Sequence, residues 1–255
     1  MSNHGRFTWY DLMTTDPAGA KAFYTELLGW GIKAMEGPMP YSMWTLADQP
    51  LGGVMTLPDE AREAGAPPHW LTYVGVDSVD ATVQRVEELG GSVFVPGQDI
   101  PGTGRFAVLA DPQGGAFSIY RDAQEADCDD SPAPVGRFSW HELMAEDMDA
   151  AWSFYSGLFG WAQGERHDMG ELGDYQIFSC AEGTTPVGGI FQKTAEMPVG
   201  WLLYVRVEDV EATVSRLVEL GGNVLNGPME VPGGDTIAQC LDPQGGAFAL
   251  HSTAA

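Results

Sequence analysis

Basic residues are scarce in this sequence. Lys and Arg number 12 against 36 Asp and Glu in 255 residues, a formal net charge of −24. Binding to nucleic acid rests on cationic side chains neutralising phosphates, and no basic stripe exists here, so nucleic acid is not expected as a partner. Long apolar runs are absent too. No segment approaches the ~20 residues of a membrane helix, so no membrane partner is expected. The first residues, Met-Ser-Asn-His-Gly-Arg, lead straight into a strand-like segment without the apolar stretch of a secretory signal, and a cytoplasmic location is the expectation. Cysteine is limited to Cys128, Cys180 and Cys240, an odd number with no CxxC spacing. That pattern predicts reduced, structurally incidental thiols, not a disulfide framework.

Core material is plentiful: 44% of residues are hydrophobic and 19% charged, the profile of a soluble globular protein. The acidic excess leaves two readings open, plain solubility or a field that draws in a cationic small ligand.

The sequence repeats itself along its length. Gly5-Arg-Phe-Thr-Trp-Tyr-Asp-Leu-Met13 recurs as Gly136-Arg-Phe-Ser-Trp-His-Glu-Leu-Met144. Phe23-Tyr24, Leu27 and Gly29-Trp30 recur as Phe154-Tyr155, Leu158 and Gly160-Trp161, and Asp111-Pro-Gln-Gly-Gly-Ala-Phe117 returns as Asp242-Pro-Gln-Gly-Gly-Ala-Phe248. These pairs share one spacing, so the whole unit is duplicated. The middle slips: Gly52-Gly53 matches Gly188-Gly189 at a larger offset, as loop insertions and deletions produce. The acidic stretch 122–134, with two prolines, reads as a linker between domains at 1–121 and 135–255.

Within a copy the elements alternate. Phe7–Met13 is a strand with Trp9, Asp11 and Met13 on one face and Thr8, Tyr10 and Leu12 on the other. Asp16-Pro17 caps a helix carrying Ala20, Phe23, Tyr24 and Leu27 at helical spacing, which Gly29 ends. Three short strands follow, near 31–34, 41–46 and 52–57. The scheme then restarts: a strand at 70–76, a helix at 79–89 and strands near 92–95, 105–109 and 116–121, with Asp111-Pro-Gln-Gly-Gly as the last turn. Each copy is two βαβββ modules, an α+β fold.

A βαβββ module with Phe-Tyr ahead of a Leu-Gly-aromatic helix end, followed by one that closes on Asp-Pro-x-Gly, resembles the vicinal-oxygen-chelate superfamily of glyoxalases, bleomycin-resistance proteins and dioxygenases. The resemblance spans nearly the whole chain, twice. It implies two tandem glyoxalase-like domains, each with two modules whose curled sheets enclose a cleft. It also implies where metal ligands would stand, on the first and last strands of the modules. Those positions fall on Trp9, Leu71 and Ser118 in copy one and on Trp140, Leu202 and Ala249 in copy two. Indole, alkyl and methyl groups do not ligate a divalent cation, so no metal and no other cofactor is expected.

On the expected cleft face stand Trp9, Asp11, Met13, His69, Tyr73, Ser118 and Tyr120 in copy one, and Trp140, Glu142, Met144, Tyr204 and His251 in copy two. Apolar walls with a few placed polar groups suit a small molecule. Asp11 with His69 and Glu142 with His251 are candidate carboxylate–imidazole acid/base pairs, or else plain strand residues bonded to nearby backbone. His4, in a terminus expected to be disordered, and His167, in an acidic loop, are expected to be inert, and His141 to be a buried structural histidine. The Gly-Gly pairs suggest a strand bulge. The expected function is metal-independent binding of an aromatic or cationic metabolite. The alternative is a metal-free hydroxylase-, lyase- or isomerase-type enzyme, ahead of a metal-dependent glyoxalase or dioxygenase. Four modules in one chain predict a monomer or weak homodimer.

Overall fold

The computed structural model describes residues 3–35, 37, 40–124, 131–170, 173–181 and 184–254. Part of the expected linker, 125–130, lies outside the described residues, and Cys128 with it. Copy one runs β1 (Phe7–Thr14), α1 (Pro17–Leu28), β2 (Gly31–Met35), β3 (Tyr41–Leu46), β4 (Gln49–Thr56), α2 (Asp59–Glu63), β5 (His69–Gly75), α3 (Val79–Glu88), β6 (Ser92–Ile100), β7 (Gly104–Ala110) and β8 (Ala116–Asp122). Copy two repeats it as β9 (Phe138–Ala145), α4 (Met148–Phe159), β10 (Ala162–Asp168), β11 (Asp174–Ser179), β12 (Pro186–Gln192), β13 (Gly200–Arg206), α5 (Val210–Glu219), β14 (Asn223–Glu230), β15 (Thr236–Leu241) and β16 (Ala247–Ser252). The fold is α+β with two tandem glyoxalase-like domains, and each copy forms an eight-stranded sheet, ordered β2-β3-β4-β1-β5-β8-β7-β6 and β10-β11-β12-β9-β13-β16-β15-β14. Among the described residues no helix is long and apolar enough to cross a membrane.

Local chemistry explains the well-read elements. The Asp16 carboxylate accepts from the Ala18 and Gly19 amides at 3.1 and 3.0 Å, satisfying donors that α1 leaves free. Gly29 and Gly160 end α1 and α4 in the left-handed conformation, φ 69° and 70°, where a side chain would be strained. Other elements depart from expectation. β4 begins at Gln49 because Ala47 and Asp48, φ 49° and 62°, form a two-residue hairpin turn. That turn usually announces itself by Asn-Gly or Asp-Gly, and Ala-Asp does not. β6 continues past Val95 to Ile100, passing Pro96-Gly97 with register shifts; an edge strand tolerates the proline's missing donor.

Two compact units emerge, and each draws on both copies. The first comprises Met1–Thr8, Thr72–Pro132 and Trp140–Trp201. Its core joins Val74, Val86, Leu109, Phe117 and Ile119 to Leu143, Tyr155, Phe159, Trp161, Phe178 and Ile190. At its centre the Tyr155 hydroxyl donates to Asp111 Oδ2 at 2.8 Å and accepts from Trp201 Nε1 at 3.3 Å. Asp111 Oδ1 meanwhile accepts from Gln113 N and Gly115 N at 2.8 and 2.9 Å, which shapes the Asp-Pro-Gln-Gly turn. Gln113 then pairs with the backbone of Asp147, the cap of α4, at 2.9 and 2.8 Å.

The second unit comprises Trp9–Leu71, Ala133–Ser139 and Leu202–Ala255. It repeats the clasp: Tyr24 donates to Asp242 Oδ2 at 3.1 Å and Trp70 Nε1 donates to Tyr24 at 3.0 Å. Trp30, Trp44, Trp70, Tyr24 and Phe138 pack around it with centroids 5.3–6.5 Å apart, Tyr24 stacked on Trp30 and the other pairs edge-to-face or tilted, a favourable aromatic geometry. Burial pushes the Tyr24 and Tyr155 phenols well above their ordinary value, so both remain donors. The Phe-Tyr and Asp-Pro-x-Gly motifs are therefore structural: they hold a module of one copy against a module of the other.

Candidate functional site

The strand face that alternation marked as functional carries a hydrogen-bonded triad. In the second unit Trp9 Nε1 donates to Tyr41 OH at 2.9 Å and to Asp11 Oδ1 at 3.0 Å, and Tyr41 OH donates to the same carboxylate oxygen at 2.8 Å. Asp11 is 5% exposed, whereas Trp9 and Tyr41 are half-buried. Burial, then the Asp11 charge, push the Tyr41 phenol far up, which keeps its proton in place to serve the carboxylate.

The first unit repeats the motif with a longer acid. Trp140 Nε1 donates to Tyr175 OH at 2.8 Å, and Tyr175 OH donates to Glu142 Oε2 at 3.0 Å. Tyr175 also stacks on Phe191, centroids 6.0 Å apart and rings 17° from parallel.

The Gly-Gly pairs make these triads possible. A Cβ at Gly53 would strike the Tyr41 hydroxyl and the Asp11 carboxylate, and one at Gly189 would strike the Tyr175 ring. Gly52 and Gly188 in turn admit the backbone carbonyls of Tyr10 and His141. A bulge does lie beside each pair, at Leu51 and Val187, but the glycines themselves serve close approach. Sequence reasoning missed Tyr41 and Tyr175. The repeat carried the signal, since they occupy matching strands β3 and β11, but the slip in offset hid it.

The remaining candidates sit as follows. Met13 and Met144 are half-buried on β1 and β9. In the first unit Tyr73 faces Ser118 in register, and the fully buried Ser118 hydroxyl has no hydrogen-bond partner among the described residues. Tyr120 donates to the Thr103 carbonyl at 2.8 Å, and burial followed by the Asp122 charge push its phenol up to about 12. In the second unit Tyr204 is buried and accepts from Gln239 Nε2 at 3.2 Å.

The histidines take other partners than the two carboxylates the sequence suggested. His69 Nδ1 meets the Pro67 carbonyl at 2.7 Å, while Asp11 is engaged by Trp9 and Tyr41. His251 lies between Ser139 Oγ at 2.9 Å and Asp235 Oδ2 at 3.0 Å, while Glu142 receives Tyr175. His141 is 4% exposed and stacked on Phe7. Two expectations need correction. His4 is not in a loose terminus: it lies 3.6 Å from Asp77, and Gly5 and Arg6 exchange backbone hydrogen bonds with Gly75 at 2.9 and 2.8 Å. His167 stands on strand β10, paired in register with Tyr175.

The positions where the resemblance places metal ligands hold groups that do not fit a divalent ion. The Trp9 and Trp140 ring nitrogens are already donating hydrogen, Leu71 and Leu202 are buried alkyl, and Ala249 is a buried methyl. Ser118 alone offers an oxygen, neutral and single. Among the described residues no group of three or more His, Cys, Asp and Glu is placed to hold a metal.

Residues 6–119 and 137–250 each match the model of the Glyoxalase/Bleomycin resistance protein/Dioxygenase superfamily. CFP32 of Mycobacterium bovis, provisionally designated a glyoxylase, is 33% identical over 258 residues, 96% of this chain and 94% of that protein. The anthracycline biosynthesis protein DnrV of Streptomyces peucetius is 31% identical over 273 residues, 96% and 92% respectively. Among solved structures, the Mn(II)-bound glyoxalase from Novosphingobium aromaticivorans superposes with a TM-score of 0.66 at 17% identity, covering 99% of this chain and 83% of that one. At that identity the likeness is one of fold.

Proposed function

Because the chain belongs to the glyoxalase/bleomycin resistance protein/dioxygenase superfamily, we propose that it binds a planar aromatic, cationic metabolite through its Trp–Tyr–carboxylate triads and without a metal. The observation that carries this reading is an indole at the first-strand position of both copies, hydrogen-bonded to a tyrosine that itself donates to a buried acid. Such a triad presents aromatic faces beside a fixed negative charge. Stacking and cation–π attraction contribute about 0.5–2 kcal/mol each in such settings, and the net charge of −24 adds long-range attraction for a cation. The relationship to DnrV supports a polycyclic aromatic as the ligand class, since that protein's name places it in anthracycline biosynthesis.

Tryptophan fluorescence titration tests the reading, with an anthracycline as probe beside a neutral and an anionic planar aromatic of similar size. Saturable quenching is expected for the cationic probe, weakened about tenfold or more by Asp11→Asn or Glu142→Gln, as loss of a charge-assisted contact requires. Equal affinity for the three probes, or no response to either substitution, would reject it.

A further inference from the structure

Outside the triads, the second unit holds a hydroxyl, an imidazole and a carboxylate in line. Ser139 on β9 has its Oγ 2.9 Å from His251 Nδ1, and His251 Nε2 lies 3.0 Å from Asp235 Oδ2. The carboxylate fixes the tautomer: Nε2 carries the hydrogen toward Asp235, leaving the Nδ1 lone pair facing the serine hydroxyl. Asp235 is itself held, since its other oxygen accepts from Ala254 N at 3.0 Å. Burial opposes its charge, yet the bonds from His251 and Ala254 prevail and keep it below the usual carboxylate value.

The arrangement is open to solvent. The His251 and Asp235 side chains are 16% and 36% exposed, and Ser139 is half-buried. Arg206, the register partner of His251, adds a nearby positive charge, itself held by the Ala133 carbonyl and the Thr253 hydroxyl at 2.8 and 3.0 Å. Copy one has the corresponding hydroxyl, Thr8, which donates to the Tyr73 carbonyl at 3.3 Å, whereas the Ser139 hydrogen lies between the matching Tyr204 carbonyl at 3.4 Å and the nearer His251 Nδ1 at 2.9 Å. In place of His251 and Asp235, however, it has Tyr120 and Gly104. Only copy two has acquired a base and its orienting acid.

We propose that Ser139, His251 and Asp235 form an acyl-transfer centre that hydrolyses small carboxylic esters with a good leaving alcohol. Ser139 Oγ attacks the ester carbonyl and its proton passes to His251 Nδ1. The alcohol leaves with that proton, and the acyl group stays on Ser139. Water then attacks the acyl–serine ester, giving up a proton through His251, and releases the carboxylic acid and free Ser139. Asp235 orients the imidazole and stabilises its cation. The proposal rests on residues of the second unit and is independent of ligand binding at the triads.

The test uses the full chain, a fluorophosphonate probe with peptide mass mapping, and p-nitrophenyl acetate hydrolysis. The expected result is phosphonylation at Ser139, abolished in Ser139→Ala. His251→Gln should slow both labelling and ester hydrolysis about 100-fold or more, the scale of lost general-base catalysis. Circular dichroism melts confirm that the variants are folded, and mapping on the unaltered chain decides the matter even if a variant is not. A folded chain that leaves Ser139 unlabelled, or His251→Gln labelled at the unaltered rate, overturns the proposal.

Discussion

His141 shows how one buried side chain sets a property of the protein. Its ring lies 3.6 Å from that of Phe7 and 4° from parallel, and Nδ1 meets the Val187 carbonyl at 2.8 Å. Burial pushes its pKa down to about 4 against the opposing pull of that carbonyl. An unfolded imidazole takes its proton near pH 6.5, so stability present above that pH is lost as pH falls through the window toward 4. The loss between pH 7.5 and 5 is on the order of 2 kcal/mol. His141→Phe keeps the stack and should flatten that dependence. Urea midpoints at the two pH values check it, and an unchanged slope would assign the dependence elsewhere. The glycines under the triads make a second prediction. Gly53→Ala should destabilise by about 1–3 kcal/mol through overpacking against Tyr41 and Asp11, read by denaturant titration, and an unchanged midpoint would contradict the close approach. Trp9 and Asp11 were legible in the sequence because alternation places them on one face. Their tyrosine partner comes from another strand, where alternation says nothing.

At the level of elements, the motifs that identify the fold turn out to be its fasteners. Tyr155→Phe removes the donor to Asp111 and strips Trp201 of its acceptor. A cost of about 1.5–3 kcal/mol is expected, the range for a hydrogen bond to a charged group, and Tyr24→Phe should cost a similar amount through Asp242. Equilibrium unfolding measures both; a cost below about 0.5 kcal/mol would mean that the aromatic packing alone holds the modules. Helices α1 and α4 were readable because cap, apolar spacing and terminal glycine agree. The Ala47-Asp48 turn, the short helix α2 and the extension of β6 through Pro96 were not. The turn and the extension run against local propensity, and tertiary pairing decides them; α2, five residues with none buried, is too short for an apolar period to mark it.

For the whole molecule, the duplication visible in the sequence does not reveal which modules share a core. Each compact unit combines one module from each copy, and only the folded chain places Tyr24 beside Asp242 or Tyr155 beside Asp111. Residues 1–121 expressed alone would lack both partners. Light scattering is expected to find that fragment self-associated or unfolded, and the full chain a monomer; a stable, folded monomer of the fragment would contradict the role given to the clasps.

The triads are expected to bind their ligand without a metal and to return it unchanged. Native mass spectrometry of the chelator-treated chain, titrated with an anthracycline, tests it most directly. The expected spectrum shows the chain with ligand bound and no metal mass, and the ligand recovered at its original mass. Ligand that binds only when a divalent ion is restored, or that returns with an altered mass, would contradict the account.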